Sequence, residues 1–232
     1  MKMKIVAHRG LTQEYKENTL DAIQAASNIG CENIEIDVIL SVDNTIFLSH
    51  DTYSHRGNNY EKLTDEVLIE THNLSKLSDV LNNFKHITFQ IDIKSHKVNI
   101  IDCLFKLIYV DNNYDNCILT SFNEKHLEDI MKHENKYNIN IKKGYITNNT
   151  HSDNFYTIIN KFKLDIIVIE HSQINEDLFK EIQKMNVKIS VYTVNERHIY
   201  KLCKKSGVDY IVTDYPKSFL PRLSFKKLKF KK

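Results

Sequence analysis

Short runs rich in β-branched residues alternate with helix-period segments along almost the whole chain, and this alternation constrains the fold more than any other feature. Extended segments fall at 4–8, 33–38, 88–93, 117–121, 141–146, 165–169, 188–193 and 209–213. Between most of them apolar residues recur at spacings of three and four, with an Asn near the helix start. Asn18 precedes Leu20, Ile23 and Ala26; Asn175 precedes Leu178 and Ile182; Asn195 precedes Ile199 and Cys203. Strand–helix–strand order implies parallel pairing with right-handed crossovers. Eight such units in 232 residues predict an α/β fold, a closed (β/α)8 barrel of TIM type, a little below the usual ~250 residues. No internal repeat or low-complexity linker marks a boundary, so residues 1–221 read as a single barrel domain.

One segment breaks the rhythm. Asp43-Asn44, between alternating apolar residues, is a two-residue hairpin signal. A loop of that length pairs Val42 with Thr45 and Asp37 with His50, which returns His50 to the carboxyl end of the second barrel strand. Residues 51–87 then form an insertion with short helices expected near 64–70 and 75–84.

Composition serves mainly to exclude. With 41% hydrophobic and 27% charged residues, the chain matches globular usage and not disorder. No apolar run approaches the roughly 18 residues of a membrane span, and Lys2 and Lys4 interrupt the first segment, so neither a transmembrane helix nor a secretory signal is expected. Cys31, Cys103, Cys117 and Cys203 are scattered, as suits reduced thiols in a cytoplasmic protein. Residues 222–232 carry Arg222, Lys226, Lys227, Lys229, Lys231 and Lys232 and no acid; without these six cations the net charge of +2 becomes −4. This basic C-terminal tail reads as a solvated terminus, with contact to an anionic membrane surface as the alternative. The body has no basic patch interleaved with aromatics, so nucleic acid is not an expected partner.

Alternation within strands selects the polar side chains that share a face. Glu35 and Asp37 share one in the second strand; Gln90, Asp92 and Lys94 share one in the third; Val6 and His8 share one in the first, with Arg9-Gly10 following. Carboxylates converging at a barrel mouth raise one another's pKa, and a bound divalent cation is the simplest compensation. Oxygen-only ligation suits Mg²⁺ or Ca²⁺ better than Zn²⁺. A salt-bridged use of the same acids with Arg9 or Lys94 is the structural alternative, and Arg9 can equally pair with Glu17.

Taken in order, Ala7-His8-Arg9-Gly10, Glu17-Asn18-Thr19-Leu20-Asp21-Ala22, Ile34-Glu35-Ile36-Asp37-Val38, His50-Asp51, Asp92-Ile93-Lys94, Ser121-Phe122, Thr193-Val194-Asn195 and Gly207 through Pro216 resemble the glycerophosphodiester phosphodiesterase family. The likeness runs from residue 5 to about residue 216. It implies a divalent-metal phosphodiesterase that cleaves small glycerophosphodiesters to glycerol phosphate and an alcohol, the attacking oxygen being water or the substrate's own vicinal hydroxyl. Carried over motif by motif, His8 and His50 would be the acid–base pair. Glu35, Asp37 and Asp92 would hold one Mg²⁺, Ca²⁺ or Mn²⁺, and Arg9 and Lys94 would bind phosphate. Tyr192 stands where the family has Trp, keeping an aromatic wall against the substrate. Asp92 stands where the family usually has Glu, a carboxylate nearer its own backbone by roughly 1.5 Å, and Lys16 replaces a Pro. The same resemblance admits a lysophospholipid or glycerol-phosphate polymer as substrate, or a catalytically silent binding barrel. The other histidines, His55, His72, His86, His96, His126, His133, His151 and His198, read as solvated loop or helix-surface positions; His171, at a strand end, is a further site candidate.

The tail yields the first prediction. Deleting residues 222–232 should leave hydrolysis of glycerophosphocholine unchanged, because a small zwitterion gains nothing from remote cations. A loss confined to anionic vesicles carrying lysolipid would assign the tail to a membrane surface.

Overall fold

The computed structural model describes residues 3–110 and 116–221. The basic tail, 222–232, lies outside the described residues. Nine strands are formed among them: β1 (Lys4–His8), β2 (Asn33–Leu40), β3 (Ile46–Leu48), β4 (Thr88–Ile93), β5 (Cys117–Ser121), β6 (Lys143–Thr147), β7 (Ile166–Glu170), β8 (Lys188–Tyr192) and β9 (Tyr210–Thr213). All but β3 are parallel, and β1 pairs with both β2 and β9, so the sheet closes into an eight-stranded barrel. Each expected strand is present, with ends displaced by two residues at most.

The helices between strands are α1 (Leu20–Asn28), α2 (Asp65–Glu70), α3 (Leu77–Asn83), α4 (Ile100–Phe105), α5 (Glu124–Tyr137), α6 (Phe155–Phe162), α7 (Glu176–Lys184) and α8 (Arg197–Lys205), with α9 (Pro216–Phe219) after β9. Their apolar faces meet the outer faces of the strands in one continuous core that includes Ile34, Ile36, Phe89, Ile91, Leu104, Leu127, Phe162, Phe179 and Ile211. A second, smaller cluster of Val6, Ile146, Ile166, Val168, Tyr210 and Val212 fills the barrel interior. The interior is mostly apolar around β6–β9, where Ser190 is a buried polar exception, and its ionisable residues gather on and just after β1, β2 and β4. Among the described residues no helix is long and apolar enough to cross a membrane.

Two details differ from the sequence reading. Asn175 caps α7 as expected, its side chain accepting from the backbone N–H groups of Asp177 and Leu178. The cap of α1, however, is Thr19, and α8 starts after Glu196. Asn18 and Asn195 instead turn their side chains to distant acids, Asp37 on β2 and Asp214 just after β9.

The hairpin is also shifted by one residue. Val38 pairs with Leu48 and Leu40 with Ile46, so Asp37 lies opposite Ser49, whose N–H donates to the Asp37 carbonyl at 3.1 Å, and not opposite His50. The loop has three residues, because Asn44 adopts a left-handed φ of 64° and the Ser41 N–H closes onto the Thr45 carbonyl at 2.9 Å. The Ser41 and Thr45 hydroxyls both donate to Asp65 at the start of α2, which pins this register to the insertion. His50 still reaches the barrel mouth, as the second residue beyond the short β3.

Asn44 carries the left-handed residue on which this register depends. Asn44→Val should cost about 1–2 kcal/mol by urea denaturation, whereas Asn44→Gly should stay within about 0.5 kcal/mol of the parent. Equal stability of the two variants would show that the loop conformation does not depend on that φ.

Candidate active site at the carboxyl end of the barrel

Strand register stacks the polar residues in two layers. His8 is level with Glu35 and Glu35 with Gln90; one pleat higher, Asp37 is level with Asp92. Asp37 and Asp92 therefore stand side by side on neighbouring strands, and Glu35 reaches up from below with its longer side chain. An oxygen from each of the three lies within 4.8 Å of the others. The shorter Asp92 thus joins the cluster without any break in the β2–β4 ladder. All three residues are buried.

Positive charge surrounds the acids without saturating them. Arg9 Nε lies 2.9 Å from Asp37 Oδ2 and Nη1 2.9 Å from Glu17. Lys94 Nζ lies 2.6 Å from Asp92 Oδ2 and 3.4 Å from Asp37 Oδ1. Arg9 also holds a left-handed φ of 57°, with its N–H on the Glu35 carbonyl and its own carbonyl accepting from Asn18. Asn18 is buried; its amide donates to Asp37 Oδ2 at 2.9 Å and its side-chain oxygen accepts from the Asp37 N–H at 3.1 Å. Even so, one oxygen on each acid, Glu35 Oε2, Asp37 Oδ1 and Asp92 Oδ1, has no hydrogen-bond partner. Burial, reinforced by Asp37 and Asp92, pushes the Glu35 carboxyl well above its usual range. Burial also raises Asp92, to about 6, against the pull of Lys94. Three buried carboxylates with oxygens within 4.8 Å of one another, each with one oxygen that accepts no hydrogen bond, fit a small divalent cation.

His8 and His50 face the same cleft of about 230 Å³, which Arg9, Glu35, Asp37, Gln90, Asp92 and Lys94 also line. His8 Nδ1 is 2.6 Å from Asp214 Oδ1, and its Nε2 is 3.9 Å from Glu35 Oε2. Asp214 is itself held by Asn195, whose amide donates to Oδ2 at 2.6 Å. Burial opposes ionisation of Asp214, but the bonds from His8 and Asn195 outweigh it and hold its carboxyl below the usual range. Asp214 therefore accepts from Nδ1–H and turns the Nε2 lone pair of His8 toward the cleft. His50 Nδ1 has an equivalent partner in Asp51 Oδ1 at 2.8 Å. The far wall is aromatic and apolar: Tyr192 meets Phe122 edge-on at 6.3 Å, above Ile146, Val168 and Val212.

All eight residues selected from the sequence, His8, Arg9, Glu35, Asp37, His50, Asp92, Lys94 and Tyr192, line this one cleft. His171, the further candidate, is not among its lining residues. Asn18, Phe122, Asn195 and Asp214 were not assigned roles from sequence. Asn18 and Asn195 read locally as helix caps, and only long-range contacts reveal their targets. His126, expected on a solvated surface, is buried against Ser121.

The model of the glycerophosphoryl diester phosphodiesterase family matches residues 8–80 and 53–218. A glycerophosphodiester phosphodiesterase of Caldanaerobacter subterraneus subsp. tengcongensis is 26% identical over 95% of this chain and 97% of its own. A glycerophosphodiester phosphodiesterase structure from Thermotoga maritima superposes with a TM-score of 0.82 at 24% identity, covering 94% of this chain and 97% of that one. An Oleispira antarctica phosphodiesterase, solved with its product sn-glycerol-3-phosphate, gives 0.80 at 20% identity, covering 93% and 94%. At these identities the solved structures establish a shared fold.

If the three carboxylates bind a cation, millimolar Mg²⁺, Ca²⁺ or Mn²⁺ should raise the Tm by roughly 5–10 °C at about 100 Kd, reversibly with EDTA. Glu35→Gln should abolish the response and raise the cation-free Tm, since the fold disfavours the ionised Glu35 carboxyl and a Gln carries no such cost. A wild-type Tm indifferent to all three ions would exclude the site.

Proposed function

This chain belongs to the glycerophosphoryl diester phosphodiesterase family, a class of phosphoric diester hydrolases, and we propose that it hydrolyses small glycerophosphodiesters to glycerol phosphate and an alcohol. The observation that carries the proposal is the placement of two carboxylate-held histidines, His8 and His50, on one cleft around the Glu35–Asp37–Asp92 cluster. Cleavage of a phosphodiester needs one proton taken from the attacking oxygen and one given to the leaving oxygen, and two imidazoles on one cleft suit both transfers.

Arg9 and Lys94 supply the cationic groups for the phosphate oxygens. Both are anchored on the acid cluster, so they are pre-positioned before substrate arrives. Burial opposes the charged form of Lys94, but Asp92 and Asp37 outweigh it and raise its pKa, which keeps the ammonium charged at neutral pH. Held by Glu35, Asp37 and Asp92, a divalent cation would add positive charge where the phosphoryl oxygens gain negative charge. Asp214 fixes the tautomer and orientation of His8, and Asp51 does the same for His50. Tyr192 and Phe122 offer a flat apolar wall to the organic part of the substrate.

The test is an assay of the purified protein on glycerophosphocholine and glycerophosphoethanolamine, with and without chelator. Activity should be lost with EDTA and return with a divalent cation. His8→Ala and His50→Ala should each lower kcat by about 10²–10⁴ while leaving the urea midpoint nearly unchanged. Either variant retaining near-parental turnover would remove that histidine from the chemistry.

A further inference from the structure

A second buried polar array sits at the barrel mouth, outside the acid cluster, and the reaction described above does not use it. Its members are Glu61, Ser95, Ser121 and His126, each less than one-tenth exposed. They come from separate parts of the chain. Glu61 belongs to a single turn, Tyr60–Lys62, within the insertion; Ser95 follows β4; Ser121 ends β5; His126 lies in the first turn of α5.

Every hydrogen bond in the array has an assignable direction. The Asn123 N–H donates to Ser121 Oγ at 3.0 Å, so the Ser121 hydroxyl proton is free for His126 Nδ1, 2.8 Å away. The His126 ring also faces the Ser95 backbone, which favours the protonated ring; with Nδ1 occupied by Ser121, Nε2 is the nitrogen left to turn toward it. Burial holds the imidazole below its usual range, consistent with a neutral ring that accepts at one nitrogen and donates at the other. The Ser95 hydroxyl, accepting from the Lys97 N–H at 3.2 Å, donates to Glu61 Oε1. Glu61 Oε1 also accepts from the His96 N–H at 3.3 Å. Two hydrogen-bonded groups, Ser121 with His126 and Ser95 with Glu61, therefore meet where the His126 ring faces the Ser95 backbone, and together they tie the β5 loop and the β4 loop to a buried carboxylate of the insertion. Networks of this kind stiffen cooperatively in a low-dielectric setting.

Its two serines flank the residues that face the cleft. Ser95 directly follows Lys94, and Ser121 directly precedes Phe122. Lys94 Nζ lies 5.3 Å from the centre of the Phe122 ring. We propose that Glu61, Ser95, His126 and Ser121 form a positioning network that holds Lys94 and Phe122 in register for the phosphate, so that the insertion, through Glu61, tunes phosphate affinity. The inference rests on Lys94 as a phosphate ligand. None of the four touches substrate; all act through the two loops they tie together.

The experiment uses the full chain with Mg²⁺ present. It measures the Kd of sn-glycerol 3-phosphate by calorimetry, and kcat and KM on glycerophosphocholine, well below the Tm. His126→Phe, which keeps a ring and removes its polar contacts, should weaken glycerol phosphate and raise KM about tenfold, with a much smaller change in kcat and an unchanged pH profile. His126→Gln, which can restore the donor to Ser95, should recover most of the loss. In a Lys94→Ala background His126→Phe should change affinity less than about twofold, because the two substitutions report one interaction. Wild-type affinity in both His126→Phe and Ser121→Ala would overturn the proposal, as would a full penalty persisting without Lys94. Should His126→Phe fail to fold, Ser121→Ala carries the same comparison, since it removes one hydroxyl. Unchanged affinity in Lys94→Ala alone would overturn the phosphate role of Lys94 and this inference together; loss there with none in the network variants overturns this inference only.

Discussion

Three buried carboxyl groups with oxygens within 4.8 Å of one another cannot stay ionised together unless positive charge reaches them, and the mouth of this barrel is organised around that requirement. Arg9 and Lys94 each contact the cluster, and Asn18 gives Asp37 two hydrogen bonds. Removing a partner from a buried charge is far more costly than losing a surface pair, so these neighbours are constrained together. The left-handed backbone at Arg9 and the tight passage at Gly10 follow from the same constraint. At Gly10 a Cβ would lie 2.7 Å from the α1 backbone at Ala22, and φ is +95°. The turn after β1 has to be compact for Arg9 to bend back over Asp37.

The apolar side of the barrel makes this arrangement meaningful. Ile146, Val168 and Val212 line the same cleft as the acids and offer them no hydrogen bonds. An interior divided in this way keeps the cleft's low-dielectric wall opposite its charges, which strengthens each interaction with an anionic ligand. The histidines stand at the edge of that division, each with an acid on Nδ1. Their orientation is therefore set from outside the cleft, by Asp214 and Asp51, and not by the cluster they face.

Much of this was legible in the sequence because it depends on short-range pattern. Strand alternation put Glu35 with Asp37, and Gln90 with Asp92 and Lys94, on common faces, and the parallel register then aligned Asp37 with Asp92. The exceptions have one cause. Asn18 and Asn195 have the local look of helix caps, yet bond Asp37 and Asp214, 19 residues away in each case. His126 sits on a helix whose exposed face is strongly charged, but the β4 and β5 loops enclose it. The hairpin register moved by one residue because Asn44 takes a left-handed conformation and Asp65 captures two hydroxyls at the turn.

What the sequence by itself determined was the barrel, the order of its strands and the residue types presented at their carboxyl ends, since period-2 and period-3.6 patterns are properties of a few consecutive residues. Only the tertiary structure decided which polar side chain bonds which. A buried donor or acceptor goes to whatever partner the closed barrel brings within about 3 Å, and strands far apart in sequence supply those partners. Closure of β9 onto β1 is what brings Asp214 to His8, 206 residues away along the chain.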